Sequence, residues 1–218
     1  MSDKLPVDLQ ADFIATVNSS RRRKITANHS ATHLMHAALK QVLGNHVVQK
    51  GSLVNEEHTR FDFAHFAKVS DEDITNIEQL VNEKIRENIA LDERRNVPIE
   101  EAKSMGATAL FGEKYGEYVR VIIFDPAYSM ELCGGTHVSA TGEIGLFKII
   151  SESAVAAGVR RIEAITSIKA EEYINNQLRQ LNTIKSELKN PKDIVVRVKE
   201  LLSENEILQK QIESYVHE

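Results

Sequence analysis

Two short stretches of the 218-residue chain carry side chains that could share one ion or one reaction. His29 and His33 stand four residues apart in His29-Ser30-Ala31-Thr32-His33. On a helix that spacing places both imidazoles on one face, one turn apart. Far downstream, Cys133-Gly134-Gly135-Thr136-His137 repeats the separation with the chain's one cysteine. The two glycines before His137 would let the backbone approach a neighbour closely. Three imidazoles and one thiolate suit tetrahedral Zn²⁺ better than Mg²⁺ or Ca²⁺, which prefer oxygen donors. A single cysteine excludes an intrachain disulfide, which leaves packing, chemistry or a metal for the thiol. Each histidine alone reads as a partnered residue on a surface helix. The pair of pairs reads as a zinc site of His29, His33, Cys133 and His137.

Four protein donors normally close a structural site, whereas a catalytic zinc keeps one position open. His-Ser-Ala-Thr-His also lacks the glutamate that makes His-Glu-x-x-His a protease helix, so peptide hydrolysis has no general base. An activated ester is an easier electrophile. A site could hydrolyse one by placing a water and polarising the carbonyl.

The elements that would hold these residues follow from pattern. Asn28 reads as the N-cap of a helix through Leu43 that stops at Gly44-Asn45. Leu34, Met35, Ala38, Leu39, Val42 and Leu43 fall on one stripe and the histidines on the other side, away from the core. Val47 to Val54 and Arg60 to Phe66 read as two strands of a hairpin, with Phe61 and Phe63 alternating against Arg60 and Asp62. Ser70 and Asp73 resemble a capping box before a helix over 71–90 carrying Ile74, Ile77, Val81, Ile85 and Ile89. Further strands are predicted at Tyr118 to Phe124, Leu146 to Glu152 and Val159 to Thr166, with a short helix near Ile99 to Met105. The predicted class is α+β, a mixed or antiparallel sheet with covering helices, over residues 1–168.

Residues 169–218 read as a helical tail. Asn190-Pro191 splits it, with Asn as cap and Pro at the first helical position. In the second helix Val198, Leu201, Asn205, Leu208, Ile212 and Tyr215 alternate by three and four, which fits a short coiled coil and a homodimer. An intramolecular hairpin of the two helices is the alternative.

Charge is sorted along the chain. The totals of 27 Lys+Arg against 32 Asp+Glu give −5, which speaks against a general nucleic-acid binder. Yet Phe13 to Asn55 has no acid at all, while Arg21, Arg22, Arg23, Lys24, Lys40 and Lys50 lie within it. An anionic ligand would meet that segment; a solvated charge run is the plainer reading. No apolar run approaches the ~20 residues of a membrane span, and the N-terminus shows no apolar leader. A cytoplasmic chain is expected.

At this point the residues resemble a family. Asn28-His29-Ser30-Ala31-Thr32-His33 together with Glu131-Leu132-Cys133-Gly134-Gly135-Thr136-His137-Val138 look like the editing domain of alanyl-tRNA synthetase and its free-standing relatives. Residues 49–54, 60–63, 109–116 (Ala-Leu-Phe-Gly-Glu-Lys-Tyr-Gly) and 158–164 (Gly-Val-Arg-Arg-Ile-Glu-Ala) agree with it. The resemblance runs over about residues 20–168, and the tail resembles the helical segment that follows editing in the full synthetase.

The resemblance implies hydrolysis of the ester in mischarged tRNA(Ala), chiefly Ser-tRNA(Ala) and Gly-tRNA(Ala). It implies zinc on His29, His33, Cys133 and His137, and Gln49 beside the reacting ester. An alanine pocket separates amino acids differing by one small group by only ~1–3 kcal/mol, so a second hydrolytic sieve is needed. Thr32, Gln49 and Ser52 are the candidates for reading a serine hydroxyl, with Gln49 and Thr32 placed in the catalytic set. Arg21, Arg22, Arg23, Lys24, Lys50, Lys114, Arg160 and Arg161 are the pool for tRNA phosphates. If Arg160 and Arg161 are neighbours in a strand they face opposite ways, so at most one reaches a shared groove. The residues before His29 are too few for an ATP-dependent aminoacylation domain, so a fragment of the ligase or a free-standing editor is expected. Two rivals stand beside this reading. One is a non-catalytic zinc-stabilised module for tRNA binding and dimerisation; the other is a threonyl-type editing domain.

Overall fold

A computed structural model describes residues 14–109 and 115–216. They form two compact units, one ending at Ala170 and the other beginning at Glu171.

The first unit is α+β. In chain order it runs α1 (Ser19–Leu43), β1 (Gln49–Val54), β2 (Thr59–Ala64), α2 (Asp71–Arg86), β3 (Asp92–Pro98), α3 (Ile99–Ser104), β4 (Tyr118–Phe124) and β5 (Ser129–Leu132). A 3-10 turn at Thr141–Ile144, β6 (Phe147–Ala156) and β7 (Val159–Thr166) follow, then the start of α4 (Ser167–Glu187). The strands make two antiparallel sheets, one ordered β1-β2-β7-β6 and the other β3-β4-β5.

The first helix corrects the sequence reading. It begins at Ser19, with the Asn18 side chain accepting from Arg21 N–H as its cap. Asn28 is therefore mid-helix and buried, its amide donating to the Asn55 carbonyl and its oxygen accepting from the Thr166 hydroxyl. A side chain that resembles a cap serves instead as a buried tie between α1 and two other elements. The histidine side of α1 is not turned away from the interior either: His33 and His36 are as buried as Leu34 and Leu39. The helix is covered on nearly every side between Ala27 and Leu39, because both sheets contribute to its surroundings. Its amphipathic stripe marks only the drier of two buried faces.

Elsewhere the pattern and the structure agree closely. Phe61 and Phe63 of β2 face the core with Ile162 and Ala164 of β7. Ile77, Val81 and Ile85 are the buried ridge of α2, which starts at the Ser70 cap. The strands β3 and β5 carry no clear apolar alternation and were not anticipated. A smaller cluster of Val97, Ala102, Val119, Val121, Ile123 and Leu132 packs between the second sheet and α3.

The second unit holds most of α4 and all of α5 (Ile194–Val216). The second helix opens at Asp193, whose carboxylate accepts from Val196 N–H, and not at Asn190-Pro191. Lys189 and Asn190 instead take left-handed conformations in the connection (φ 63° and 54°). No residue of α5 is buried, and Leu208, Ile212 and Tyr215 are exposed. Among the described residues no helix is long and apolar enough to cross a membrane.

Candidate metal centre and cleft

The four residues predicted to ligate come together. One ligand atom from each of His29, His33, Cys133 and His137 lies within 4.8 Å of every other. The first two project from α1; the second two lie in the loop after β5. Cys133 Sγ stands 3.5 Å from His29 Nε2 and 3.4 Å from His137 Nε2. A tetrahedron with zinc bonds of ~2.0–2.1 Å to nitrogen and ~2.3 Å to sulfur has N···S edges of about 3.5 Å. The donor set thus fits Zn²⁺ in chemistry and in spacing.

Surrounding groups fix the rings. Nδ1 of His137 lies 3.0 Å from Ser30 Oγ, and that hydroxyl also accepts from Val138 N–H. With a metal on Nε2, Nδ1 would carry the proton and donate to Ser30. His33 Nδ1 faces Glu131 Oε2 at 3.5 Å, which leaves its Nε2 for the cluster. Glu131 is buried and also binds His36 Nδ1 at 2.8 Å. His29 takes a backbone hydrogen bond with Thr136. Neither Ser30, Glu131 nor His36 was singled out from the sequence. The available signal was position: Ser30 adjoins His29, and Glu131 lies two residues before Cys133, on the same side of its strand as far as strand geometry holds.

Burial also sets protonation. It pushes His29 down to about 4, helped by the neighbouring His33, and pushes His137 down to about 2. His33 is lowered in the same way, mainly by burial. All three rings are neutral near pH 7, which is the form that binds metal. Burial opposes ionisation of Glu131, but His33 and the hydrogen bond from His36 outweigh it and hold the carboxyl below its ordinary value.

Gly135 is required by close approach. A Cβ on it would stand 2.0 Å from His29 Cε1, whereas one on Gly134 would meet nothing within 4 Å. Arg120 braces the same loop by donating to the carbonyls of Cys133 and Gly135.

His29, His33 and Cys133 line a cleft of about 450 Å³ together with Thr32, Gln49 and Ser52. A bulge explains how β1 supplies both Gln49 and Ser52. Gln49 pairs with Phe63 and Gly51 with Asp62, so Lys50 is an extra residue in β1. Residues three apart in a regular strand face opposite ways; the inserted residue turns Gln49 and Ser52 to the same side, the side of Phe61 and Phe63. No side-chain hydrogen bond occupies Gln49 among the described residues. Thr32 is more committed: its hydroxyl donates to the Asn28 carbonyl at 2.8 Å and lies 2.6 Å from Thr59 Oγ1. It can offer a ligand a lone pair but not its proton.

The basic residues are dispersed. Arg21 pairs with Glu56 at 2.9 Å, while Arg22, Arg23 and Lys24 are exposed on the first turns of α1. Lys50 is exposed at the bulge. Arg160 faces the interior side of β7 and pairs with Glu152 at 2.5 Å; Arg161 faces the other side and forms two bonds to Asp62, at 2.7 and 2.9 Å. Lys114 lies outside the described residues.

Residues 119–163 match the family described as "Threonyl and Alanyl tRNA synthetase second additional domain". The chain is 61% identical over 215 residues to an alanine–tRNA ligase of Cytophaga hutchinsonii, covering 99% of this chain and 24% of that protein. Over this length the chain is similar to one segment of the alanine–tRNA ligases. Alanine–tRNA ligases of Bacteroides fragilis (53% identical, 100% of this chain, 25% of the relative) and Flavobacterium psychrophilum (52%, 99% and 24%) match in the same way. The chain thus spans about a quarter of the length of these alanine–tRNA ligases.

Proposed function

We propose that this chain is the editing part of an alanine–tRNA ligase and hydrolyses the ester of Ser-tRNA(Ala) and Gly-tRNA(Ala) in the cytoplasm. The observation that carries the reading is the convergence of His29, His33, Cys133 and His137 at a cleft that Gln49 and Ser52 also line. Residues 1–168 would form the editing domain and 169–218 the helical tail.

When bound by those four residues, Zn²⁺ supplies Lewis acidity and a fixed positive charge. The chain's own groups do the rest. Water adds to the carbonyl carbon, the ester C–O bond breaks, and the ribose oxygen regains a proton. The Gln49 amide can donate to the carbonyl oxygen as charge builds there, and its own oxygen can hold the water. Ser52 and the lone pair of Thr32 would meet a serine hydroxyl. Arg22, Arg23, Lys24 and Lys50 remain the candidates for phosphates, while Arg160 and Arg161 hold acids of the fold. The apolar positions of α5 suit a second copy of the chain.

The test is incubation with Ser-tRNA(Ala), Gly-tRNA(Ala), Ala-tRNA(Ala) and Ser-tRNA(Thr), with and without a zinc chelator. Release of serine and glycine but not alanine, abolished by the chelator, supports the reading. Preference for Ser-tRNA(Thr) favours a threonyl-type editor. Retained RNA binding without any deacylation favours a structural zinc module.

A further inference from the structure

The metal-bearing loop has two sides, and the cleft described above uses one of them. On the other, Gly134, Gly135 and Thr136 border a second groove of about 520 Å³ with Arg95, Asn96, Tyr118 and Arg120. Both depressions share Gly134 and Gly135, so they meet across this loop. At that crossing Gly134 has no side chain, and among the described residues nothing lies within 4 Å of where one would stand.

The far groove is built by a second bulge. Arg94 pairs with Val121 and Val97 with Val119, so β3 carries one residue more than β4 between them. Asn96 sits there in a left-handed conformation (φ 54°), which an asparagine tolerates better than most residues. The bulge breaks the alternation and leaves both Arg95 and Asn96 exposed, beside Tyr118 with 64% of its surface open to solvent. Tyr118 and Arg120 are two apart on β4 and face the same way. Glu93 anchors both Arg95 and Arg120, which sets the spacing of the two guanidinium groups.

An open aromatic ring, a guanidinium beside it and a carboxamide next to that are the parts that hold a single-stranded nucleotide: stacking, phosphate and base edge. Accepting the editing function proposed above, we infer that this groove seats the unpaired nucleotides just before the esterified end of the tRNA. Tyr118 stacks a base, Arg95 binds a phosphate, Asn96 reaches a base edge, and the terminal adenosine passes over Gly134 into the metal cleft. The occupant is RNA, and these residues lie outside the basic run of α1.

The test compares the intact chain with Tyr118→Ala, Tyr118→Phe and Arg95→Ala in two measurements. The first is binding of a 5′-labelled single-stranded RNA ending in CCA, followed by anisotropy; the second is KM and kcat for Ser-tRNA(Ala). Tyr118→Ala is expected to weaken RNA binding about tenfold or more and to raise KM, with bound zinc unchanged. Tyr118→Phe, which keeps the ring, is expected to restore both, and Arg95→Ala to weaken binding and flatten its salt dependence. Binding and KM within twofold of the parent in both alanine variants overturn the groove while leaving editing intact. No RNA binding by the parent chain, with deacylation preserved, overturns it as well. Loss of deacylation and of RNA binding in the parent overturns the editing function together with the groove.

Discussion

Gly135 and His29 are packed so tightly that even a methyl group on the glycine would stand 2.0 Å from the imidazole Cε1. The tightness is one-sided, since the neighbouring Gly134 has open space where a methyl would go. The two adjacent glycines therefore make opposite predictions. Gly135→Ala must displace His29 or the loop, and zinc affinity in chelator competition is expected to fall by at least the ~10–100-fold typical of disturbing a ligand's supports. Gly134→Ala is expected to retain zinc affinity within about twofold; equal losses in the two variants would show that the loop is not set against His29 in this way.

Cys133→Ser replaces the one soft donor of the cluster with a hydroxyl that stays protonated near neutral pH. The variant is expected to purify with well under one zinc per chain by elemental analysis and to lose deacylation. Gln49→Ala, which touches none of the four ligands, is expected to keep the metal and fold while kcat for Ser-tRNA(Ala) drops about 100-fold, the usual cost of a lost oxyanion donor.

Acid sensitivity follows from the buried rings. The ordinary histidine value is 6.5, and His29 is lowered to about 4 in the folded chain, so the unfolded state takes up its proton first as pH falls. Stability of the zinc-free protein is accordingly full above pH 6.5 and is lost progressively toward pH 4, with His137 extending the loss to lower pH. Thermal melts of the chelated protein at pH 7.5, 6, 5 and 4 measure this. A melting temperature independent of pH over that span would contradict the neutral cluster.

Asn28→Ala leaves the Asn55 carbonyl and the Thr166 hydroxyl without their buried partner. Two such orphaned groups cost about 2 kcal/mol at least, to be read from the midpoint of urea unfolding. A helix cap at the same position would cost only ~1 kcal/mol, so the size of the loss separates the two roles.

What could be read in the sequence was what period and residue type announce. The ridge of α2, the alternation of β2, and the two His/Cys pairs all carry their signal locally. The start of α1 did not, because Asn18 and Asn28 are equally good caps in isolation and only the burial of Asn28 separates them. Strand β3, Asp92-Glu93-Arg94-Arg95-Asn96-Val97-Pro98, is an edge strand whose largely exposed side chains show no apolar alternation. The placement of Gln49 and Ser52 on one side depends on a single inserted residue, and periodicity arguments assume none. Glu131 and Ser30 were invisible because their meaning comes from partners about a hundred positions away.

The distance in the chain between the two halves of the ligand cluster has a bearing on how the protein is made. His29 and His33 leave the ribosome before Cys133 and His137, within a helix whose cover comes largely from strands synthesised later. A nascent chain therefore displays a bare histidine pair until Cys133 and His137 have emerged and the second sheet has closed over it, so a growing polypeptide can hold the ion firmly only after most of the first unit has been translated.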